Sequence, residues 1–148
     1  MIINLTGQAG AGKTVIAKEL LKLIPNSINL DGDELRELFV NKDYSENGRR
    51  NNITNAYNIA IFLESKGFVP ILSLISPYLD LREDLKKNRN AYEFYIFTNN
   101  IRGREHYFAK DYVEPQENYI KIVTDDVDES HCAKLITANI TLLKNLKY

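Results

Sequence analysis

The chain of 148 residues has a single cysteine, Cys132, and no tryptophan. One thiol excludes an internal disulfide framework and is typical of a reducing compartment. No apolar run approaches the roughly 18 residues of a transmembrane helix, and no signal peptide is visible, so we expect no membrane association. Lys and Arg number 19 and Asp and Glu 20, and the net charge of -1 argues against a nucleic-acid polymer as partner. We therefore expect a cytoplasmic, water-soluble protein with one domain over residues 1–148.

Short apolar runs alternate with segments of helical periodicity along most of the chain. We expect strands at 1–5, 27–30, 68–75, 91–98 and 119–123. Helices are expected at 13–24, 33–39, 51–66, 79–89 and 128–146, with Asp33 as a cap and Lys86 and Lys87 on a solvated face. Residues 41–50 are polar and turn-rich. The irregular stretch at about 101–118 has the length of a lid or binding loop.

A glycine-rich segment follows the first predicted strand. Glycines let backbone N–H groups surround a phosphate, and the next helix turns its positive end towards the anion. In such a loop the lysine reaches the β and γ phosphates and the hydroxyl after it binds Mg²⁺. The pattern G-x-x-x-x-G-K-[ST] predicts an α/β P-loop NTPase fold, a five-stranded parallel sheet with helices on both faces. It is matched by Gly7, Gln8, Ala9, Gly10, Ala11, Gly12, Lys13 and Thr14.

The loop by itself does not name a reaction. A GTPase would carry N-K-x-D and D-x-x-G, but Asn41-Lys42-Asp43-Tyr44 lacks the final aspartate and D-x-x-G does not occur. Motor-type ATPases usually have a longer chain and an apolar strand that ends in acidic residues. Here the third predicted strand leads into Ser76-Pro77-Tyr78. These exclusions favour a small kinase that acts on a small molecule.

Two carboxylates, Asp31 and Asp33, follow the second predicted strand. They lie at the edge where open α/β sheets bind ligands. Carboxylates there can hold Mg²⁺ and accept the proton of an attacking hydroxyl, and phosphoryl transfer needs little besides positioning, metal and base. The alternative is that Asp33 only caps a helix and Asp31 only occupies a turn.

Three segments outside the P-loop follow one further pattern. The chain reads Asp31-Gly32-Asp33-Glu34-Leu35-Arg36, then a polar stretch over 44–54, then Leu74-Ile75-Ser76-Pro77-Tyr78. The adenylylsulfate kinase (APS kinase) family reads D-G-D-x-[IL]-R, F-S-x-x-D-R-x-x-N-I-R and F-I-S-P-Y at these places. The chain resembles that family clearly over residues 1–78 and weakly beyond them.

The resemblance implies transfer of the γ-phosphoryl group of ATP to a hydroxyl, the ribose 3′-OH, of a nucleotide such as adenylylsulfate. Lys13, Asp31, Asp33 and Ser76 are implied as catalytic residues, with Thr14 and Asp31 as ligands of Mg²⁺. Ser76 matches a serine assigned as a phosphoryl-intermediate site, although direct in-line transfer needs no intermediate. The residues implied to hold the acceptor are Arg36, Tyr44, Arg49, Asn52, Ile53 and Ile75, with Arg102 and Lys110 near the transferred phosphate. Alternatively the arginines are surface residues, Tyr44 only packs, and the isoleucines belong to the core.

The largest departures from the family pattern lie in the lid. The family carries K-G-L-Y-K-K-A-R and P-Y-E-x-P, whereas residues 102–115 here are shorter and different. A remodelled acceptor site makes a cytidine diphosphoramidate kinase the alternative enzyme. A non-catalytic ATP-binding regulatory module is the alternative outside catalysis. A homodimer is compatible with either.

Overall fold

The computed structural model describes residues 1–100 and 108–146. Five strands run from Ile2–Thr6 (β1), Ser27–Asp31 (β2), Val69–Ser73 (β3), Ala91–Phe97 (β4) and Tyr119–Val123 (β5). Five helices run from Lys13–Leu23 (α1), Gly32–Leu38 (α2), Glu46–Ser65 (α3), Leu79–Asn88 (α4) and Glu129–Leu146 (α5). None of the helices within the described ranges is long and apolar enough to cross a membrane.

All pairings between the strands are parallel, in the order β2-β3-β1-β4-β5. The first strand of the chain is therefore the central strand of the sheet, with Ile3 paired to Ile71 on one side and Tyr92 on the other. All five residues of β1 are buried, as expected for a parallel strand covered on both faces. The predicted α/β fold with five parallel strands is confirmed.

Helices cover both faces of the sheet, and each face has its own apolar core. On one face α1 and α5 pack against side chains such as Ile3, Leu5 and Phe94. On the other face α2, α3 and α4 pack against Ile2 and Leu72. The alternation of side chains along each strand divides the strand residues between the two cores.

Most boundaries agree with the prediction to within one residue, and three differences bear on the site. Asp31, not Asp33, is the N-cap of α2, because its side chain accepts the N–H groups of Asp33 and Glu34. Helix α3 begins at Glu46, five residues before the predicted start, where the Ser45 side chain caps the N–H of Gly48. The predicted third strand was too long at its end, since β3 stops at Ser73 and residues 74–76 already belong to the connection.

The prediction that Lys86 lies on a solvated face is wrong. The carboxylate of Glu93 on β4 is completely buried, and it binds Nε of Arg82 at 2.8 Å and Nζ of Lys86 at 2.6 Å. Arg82 is itself fully buried and Lys86 is 8% exposed. Charged groups are buried when they are paired, and here one strand carboxylate pairs with two cations of α4.

Candidate active site

The glycine-rich loop connects the end of β1 to the start of α1. Gly7, Gly10 and Gly12 have φ values of 153°, 83° and 105°, which side-chain-bearing residues rarely adopt. A Cβ on Gly7 would lie 2.2 Å from the backbone oxygen of Ile96. The loop therefore needs glycine at position 7 both for its conformation and for its close approach to β4.

Lys13 directs its ammonium group into this loop. Nζ donates to the carbonyl oxygens of Gly7 at 2.7 Å and Gln8 at 2.8 Å. Burial lowers the pKa of Lys13 to about 8, while the charges of Asp31 and Asp33 oppose that shift. A buried ammonium group held on two carbonyls and facing two carboxylates is well placed to exchange those partners for phosphate oxygens.

Thr14 and Asp31 meet at the carboxyl edge of the sheet. The Thr14 hydroxyl donates to Oδ1 of Asp31 at 2.9 Å, and the Ser73 hydroxyl donates to the same oxygen at 3.3 Å. The other oxygen, Oδ2, accepts the N–H groups of Asp33 and Glu34. The side chain of Asp33 is exposed beside this network. A hydroxyl and a carboxylate in contact are the oxygen donors that Mg²⁺ takes alongside phosphates, so the residues fit that ion.

Arg36 and Tyr44 form one contact on the predicted acceptor side. The Arg36 guanidinium lies 4.1 Å from the centre of the Tyr44 ring, and Nη1 donates to the backbone oxygens of Asn41 and Asp43. Tyr44 is 68% exposed. The two residues thus support each other and the connection between α2 and α3, with the ring open to solvent.

The remaining predicted acceptor residues lie on α3 and after β3. Asn52 is buried and donates to the carbonyl of Gly32 at 3.4 Å, which joins α3 to the start of α2. Ile53 is buried in the core, and Ile75 is half-buried. Arg49 forms an ion pair with Asp111, with Nη1 3.1 Å from Oδ1. Three of these residues therefore share α3, while Ile75 adjoins the P-loop, since its carbonyl accepts the N–H of Gly7 at 3.3 Å.

Ser76 occupies a strained position after β3. Its φ is 47°, and its side chain is 2% exposed. The backbone oxygen accepts from the Thr6 hydroxyl at 3.2 Å and from Nη1 of Arg82. The Ser76 hydroxyl lies near that of Tyr57, whose pKa is raised to about 12, chiefly by burial. A covalent role for this enclosed hydroxyl stays a prediction.

Residues 109–113, which we call the strap, cross from the P-loop to the connection between β3 and α4. The Gln8 side chain makes two hydrogen bonds with the backbone of Ala109. Nε2 donates to the carbonyl oxygen at 2.9 Å, and Oε1 accepts from the N–H at 3.0 Å. The Tyr112 hydroxyl lies 3.0 Å from that of Thr6. Val113 donates its N–H to the carbonyl of Pro77 at 3.0 Å and accepts from Nη2 of Arg82 with its own carbonyl.

The strap lies within the stretch predicted as a lid or binding loop, but sequence reasoning missed its anchors. Gln8 is a site residue by sequence only as a member of the loop, and nothing local marks Arg82, Asp111 or Tyr112. Lys110, on the strap, is exposed. Arg102 and the first part of the predicted lid lie outside the described residues.

Residues within the described ranges line a small cleft and a larger groove on the surface. A cleft of about 50 Å³ beside the P-loop is lined by residues that include Ala11, Val15 and Thr124, and the Thr124 hydroxyl donates to the carbonyl of Ala11 at 3.0 Å. A larger groove, about 820 Å³, runs along α4 and is lined by charged and amide side chains. Its lining within the described chain contains no predicted site residue, so the smaller cleft is the one associated with the loop.

The fold and the glycine-rich loop together define a protein of the P-loop kinase class. Residues 1–107 match the family model for adenylylsulphate kinase. The chain belongs to the adenylylsulphate kinase family, and the resemblance drawn from its motifs is confirmed.

Curated relatives support this placement over the matched part of the chain. The chain is 41% identical over 100 residues to a cytidine diphosphoramidate kinase of Campylobacter jejuni. The matched region covers 64% of this chain and 59% of that protein. It is 36% identical over 101 residues to a probable adenylyl-sulfate kinase of Pyrococcus abyssi, with 64% and 58% covered. The chain therefore spans less than two thirds of the length of these relatives.

The fold extends further than the sequence identity. An APS kinase of Mycobacterium tuberculosis, solved in complex with AMPPNP and APS, superposes with a TM-score of 0.78 at 20% identity. The superposition covers 95% of this chain and 96% of that one. At this identity the likeness concerns the fold.

Proposed function

We propose that this protein is an ATP-dependent kinase that transfers the γ-phosphoryl group to a hydroxyl, the ribose 3′-OH, of a small nucleotide. The observation that carries the proposal is the contact between the Thr14 hydroxyl and the Asp31 carboxylate beside the buried ammonium group of Lys13. It joins a phosphate loop to a carboxylate at the edge of the sheet where an acceptor can enter.

On the donor side, the backbone of residues 7–12 would surround the phosphates of ATP. Lys13 would leave its two carbonyl partners and bind phosphate oxygens, and Thr14 and Asp31 would hold Mg²⁺. When bound, Mg²⁺ neutralises charge on the phosphates. The Asp33 carboxylate is exposed at the start of α2, where it would accept the proton of the attacking hydroxyl.

On the acceptor side, Tyr44 would provide a face on which the acceptor base stacks, because its ring is exposed and rests against the Arg36 guanidinium. Arg36 and Arg49 would bind anionic groups of the acceptor, with Asn52 as a polar contact and Ile53 and Ile75 as apolar lining. The relatives name two acceptors for the test, adenylylsulfate and cytidine diphosphoramidate. We propose that the protein acts in the cytoplasm, where ATP is available, and a homodimer fits the proposal.

The kinase proposal is tested by incubating the protein with ATP, Mg²⁺ and each acceptor, with the phosphorylated product identified by mass. We expect acceptor-dependent release of ADP, and Lys13→Ala should abolish it. Lys18→Ala is the matched control, because Lys18 is an exposed lysine on the same helix. Absence of product with every nucleotide acceptor would contradict the proposal.

The non-catalytic alternative makes a different prediction. A regulatory ATP-binding module would bind ATP equally well after Asp31→Asn and would never yield a phosphorylated acceptor. The enzyme proposal expects the same substitution to remove product formation. Calorimetric binding of ATP, measured beside the mass assay, separates the two.

A further inference from the structure

We propose that Asp111 determines acceptor specificity by favouring a terminal phosphoryl group that carries an N–H donor, a phosphoramidate, over terminal groups that present only oxygen. The proposal rests on the proposed function and names the acceptor class of the same site. Its structural basis is the ion pair between Asp111 on the strap and Arg49 on α3.

The position of Asp111 is fixed from both sides. Two residues before it, Ala109 is bound in both directions to Gln8 of the P-loop, at 2.9 and 3.0 Å. Directly after it, Tyr112 contacts Thr6, and Val113 donates to Pro77. Hydrogen bonds on both flanks thus hold the strap beside the donor loop, with the Asp111 carboxylate against Arg49 of α3.

The Arg49–Asp111 pair is only partly satisfied. Nη1 of Arg49 reaches Oδ1 of Asp111 at 3.1 Å, while Nε is buried and has no hydrogen-bond partner among the residues that the structure describes. The Asp111 side chain is 39% exposed and that of Arg49 is 29% exposed. Tyr78 completes the cluster, and its pKa is raised by burial, against the opposing charge of Arg49 and with a further rise from Asp111. The arginine thus has donors left for an anion, and the carboxylate beside it has acceptor oxygens left.

The chemistry of these two groups defines what fits between them. An ionised carboxylate only accepts hydrogen bonds, whereas a guanidinium only donates them. A terminal group made only of anionic oxygens can satisfy Arg49 but is repelled by Asp111. A phosphoramidate can satisfy both, because its oxygens accept from Arg49 while its amide nitrogen donates to Asp111.

The chain offers a matched control for this pair. Arg50, the next residue on α3, forms an ion pair with Asp80 at 3.0 Å, and its guanidinium lies 4.2 Å from the centre of the Tyr78 ring. Asp80→Asn therefore removes a carboxylate that is paired with an arginine of α3 in the same way. Unlike Asp111, Asp80 does not lie on the strap. Asp111→Asn keeps the shape of the side chain, removes its charge and adds an N–H donor.

Three cytidine acceptors separate the N–H donor from net charge. They are cytidine diphosphoramidate, cytidine diphosphate, and cytidine diphosphate esterified with methanol on its terminal phosphate, which has the single terminal charge of the amidate but no N–H. Calorimetry gives the affinity of each acceptor without ATP, and initial rates with ATP give kcat/KM. We expect the wild-type protein and Asp80→Asn to prefer the amidate over both others. Asp111→Asn should reduce that preference about tenfold in affinity and in kcat/KM.

The outcomes distinguish this proposal from the proposed function. Product with any acceptor, together with an amidate preference that Asp111→Asn leaves within twofold, overturns the specificity role and keeps the kinase. The specificity role is also overturned if Asp111→Asn reduces the preference for the amidate over the diphosphate but not the preference over the methyl ester. Asp111 would then sense charge alone. No transfer to any acceptor, with an amidate preference in binding that depends on Asp111, overturns the kinase and supports the role. Failure of all three acceptors to bind overturns the role.

Discussion

Replacing Glu93 with glutamine removes the negative charge that two buried cations share. The Glu93 carboxylate is fully buried between Nε of Arg82 at 2.8 Å and Nζ of Lys86 at 2.6 Å. In Glu93→Gln the amide keeps the shape, but Arg82 has no carboxylate and Lys86 keeps only the pair with Glu83 at 2.8 Å. Leaving a buried charge without its partner costs about 3–5 kcal/mol.

Lys86→Met is the companion variant, and its expected cost is smaller. Methionine retains most of the apolar stem, and Glu93 remains paired with Arg82. The carbonyl of Glu117, which Lys86 binds at 2.7 Å, belongs to an exposed residue and can bind water instead. The Glu83 side chain is 32% exposed, so water can replace the ammonium group there. The loss is then mainly the charged hydrogen bond to Glu93, about 1.5–3 kcal/mol.

Urea denaturation, followed by circular dichroism, measures the free energy of unfolding of both variants. In a thermal scan we expect the Tm of Glu93→Gln to lie roughly 6–20 °C below that of the wild-type protein. The ranking is the critical result. If Lys86→Met is as costly as Glu93→Gln, or if Glu93→Gln lies within about 1 kcal/mol of the wild-type protein, then Glu93 is not the centre of the cluster.

Further predictions concern the P-loop. Gly7→Ala should lower the free energy of unfolding by more than about 1 kcal/mol, because the new Cβ would meet the backbone of Ile96. Gly67→Ala is the control, since a Cβ there meets nothing within 4 Å. If urea denaturation shows a smaller loss for Gly7→Ala than for Gly67→Ala, the prediction is contradicted. The pKa of Lys13 is about 8 in the folded protein, against 10.5 for an ordinary lysine. Between these pH values the unfolded chain binds more protons than the folded protein, so the contribution of Lys13 to the free energy of unfolding should increase as the pH rises. Lys13→Met should remove that increase in urea titrations at successive pH values, and an unchanged pH profile would refute it. Thr14→Val should weaken calorimetric binding of ATP with Mg²⁺ more than binding of ATP alone, whereas an equal loss would argue against a metal ligand.

The order of the elements could be predicted because each carries a local signal. β1 is mostly apolar, with Ile2, Ile3 and Leu5, and α1 has an apolar stripe. The glycine pattern lies between them, so the central part of the fold is visible in one short stretch. Helix α3 was harder, since its first turns are polar where the connection from α2 and the acceptor side meet. Only Ser45, a capping residue, marks its start.

Contacts between distant segments could not be predicted. Lys86 reads as a surface residue until Glu93, on another element, is placed beneath it. The same is true of Arg49 and Asp111, which are far apart in sequence and meet because the strap is bound to Gln8 at one end. Such pairs depend on the complete topology, and a single sequence contains no periodic signal for them.

The strand order also has a consequence for biosynthesis. The central strand is made before both of its neighbours, since Ile3 pairs with Ile71 and Tyr92, which the ribosome adds about 70 and 90 residues later. At a synthesis rate of about 5–20 residues per second, β1 waits for its first neighbour for roughly 3–14 seconds. During that interval a strand with three large apolar side chains, those of Ile2, Ile3 and Leu5, has both edges unpaired, a state that favours aggregation. The nascent chain therefore has a period in which the segment that later carries the phosphate loop is exposed to aggregation and accessible to chaperones.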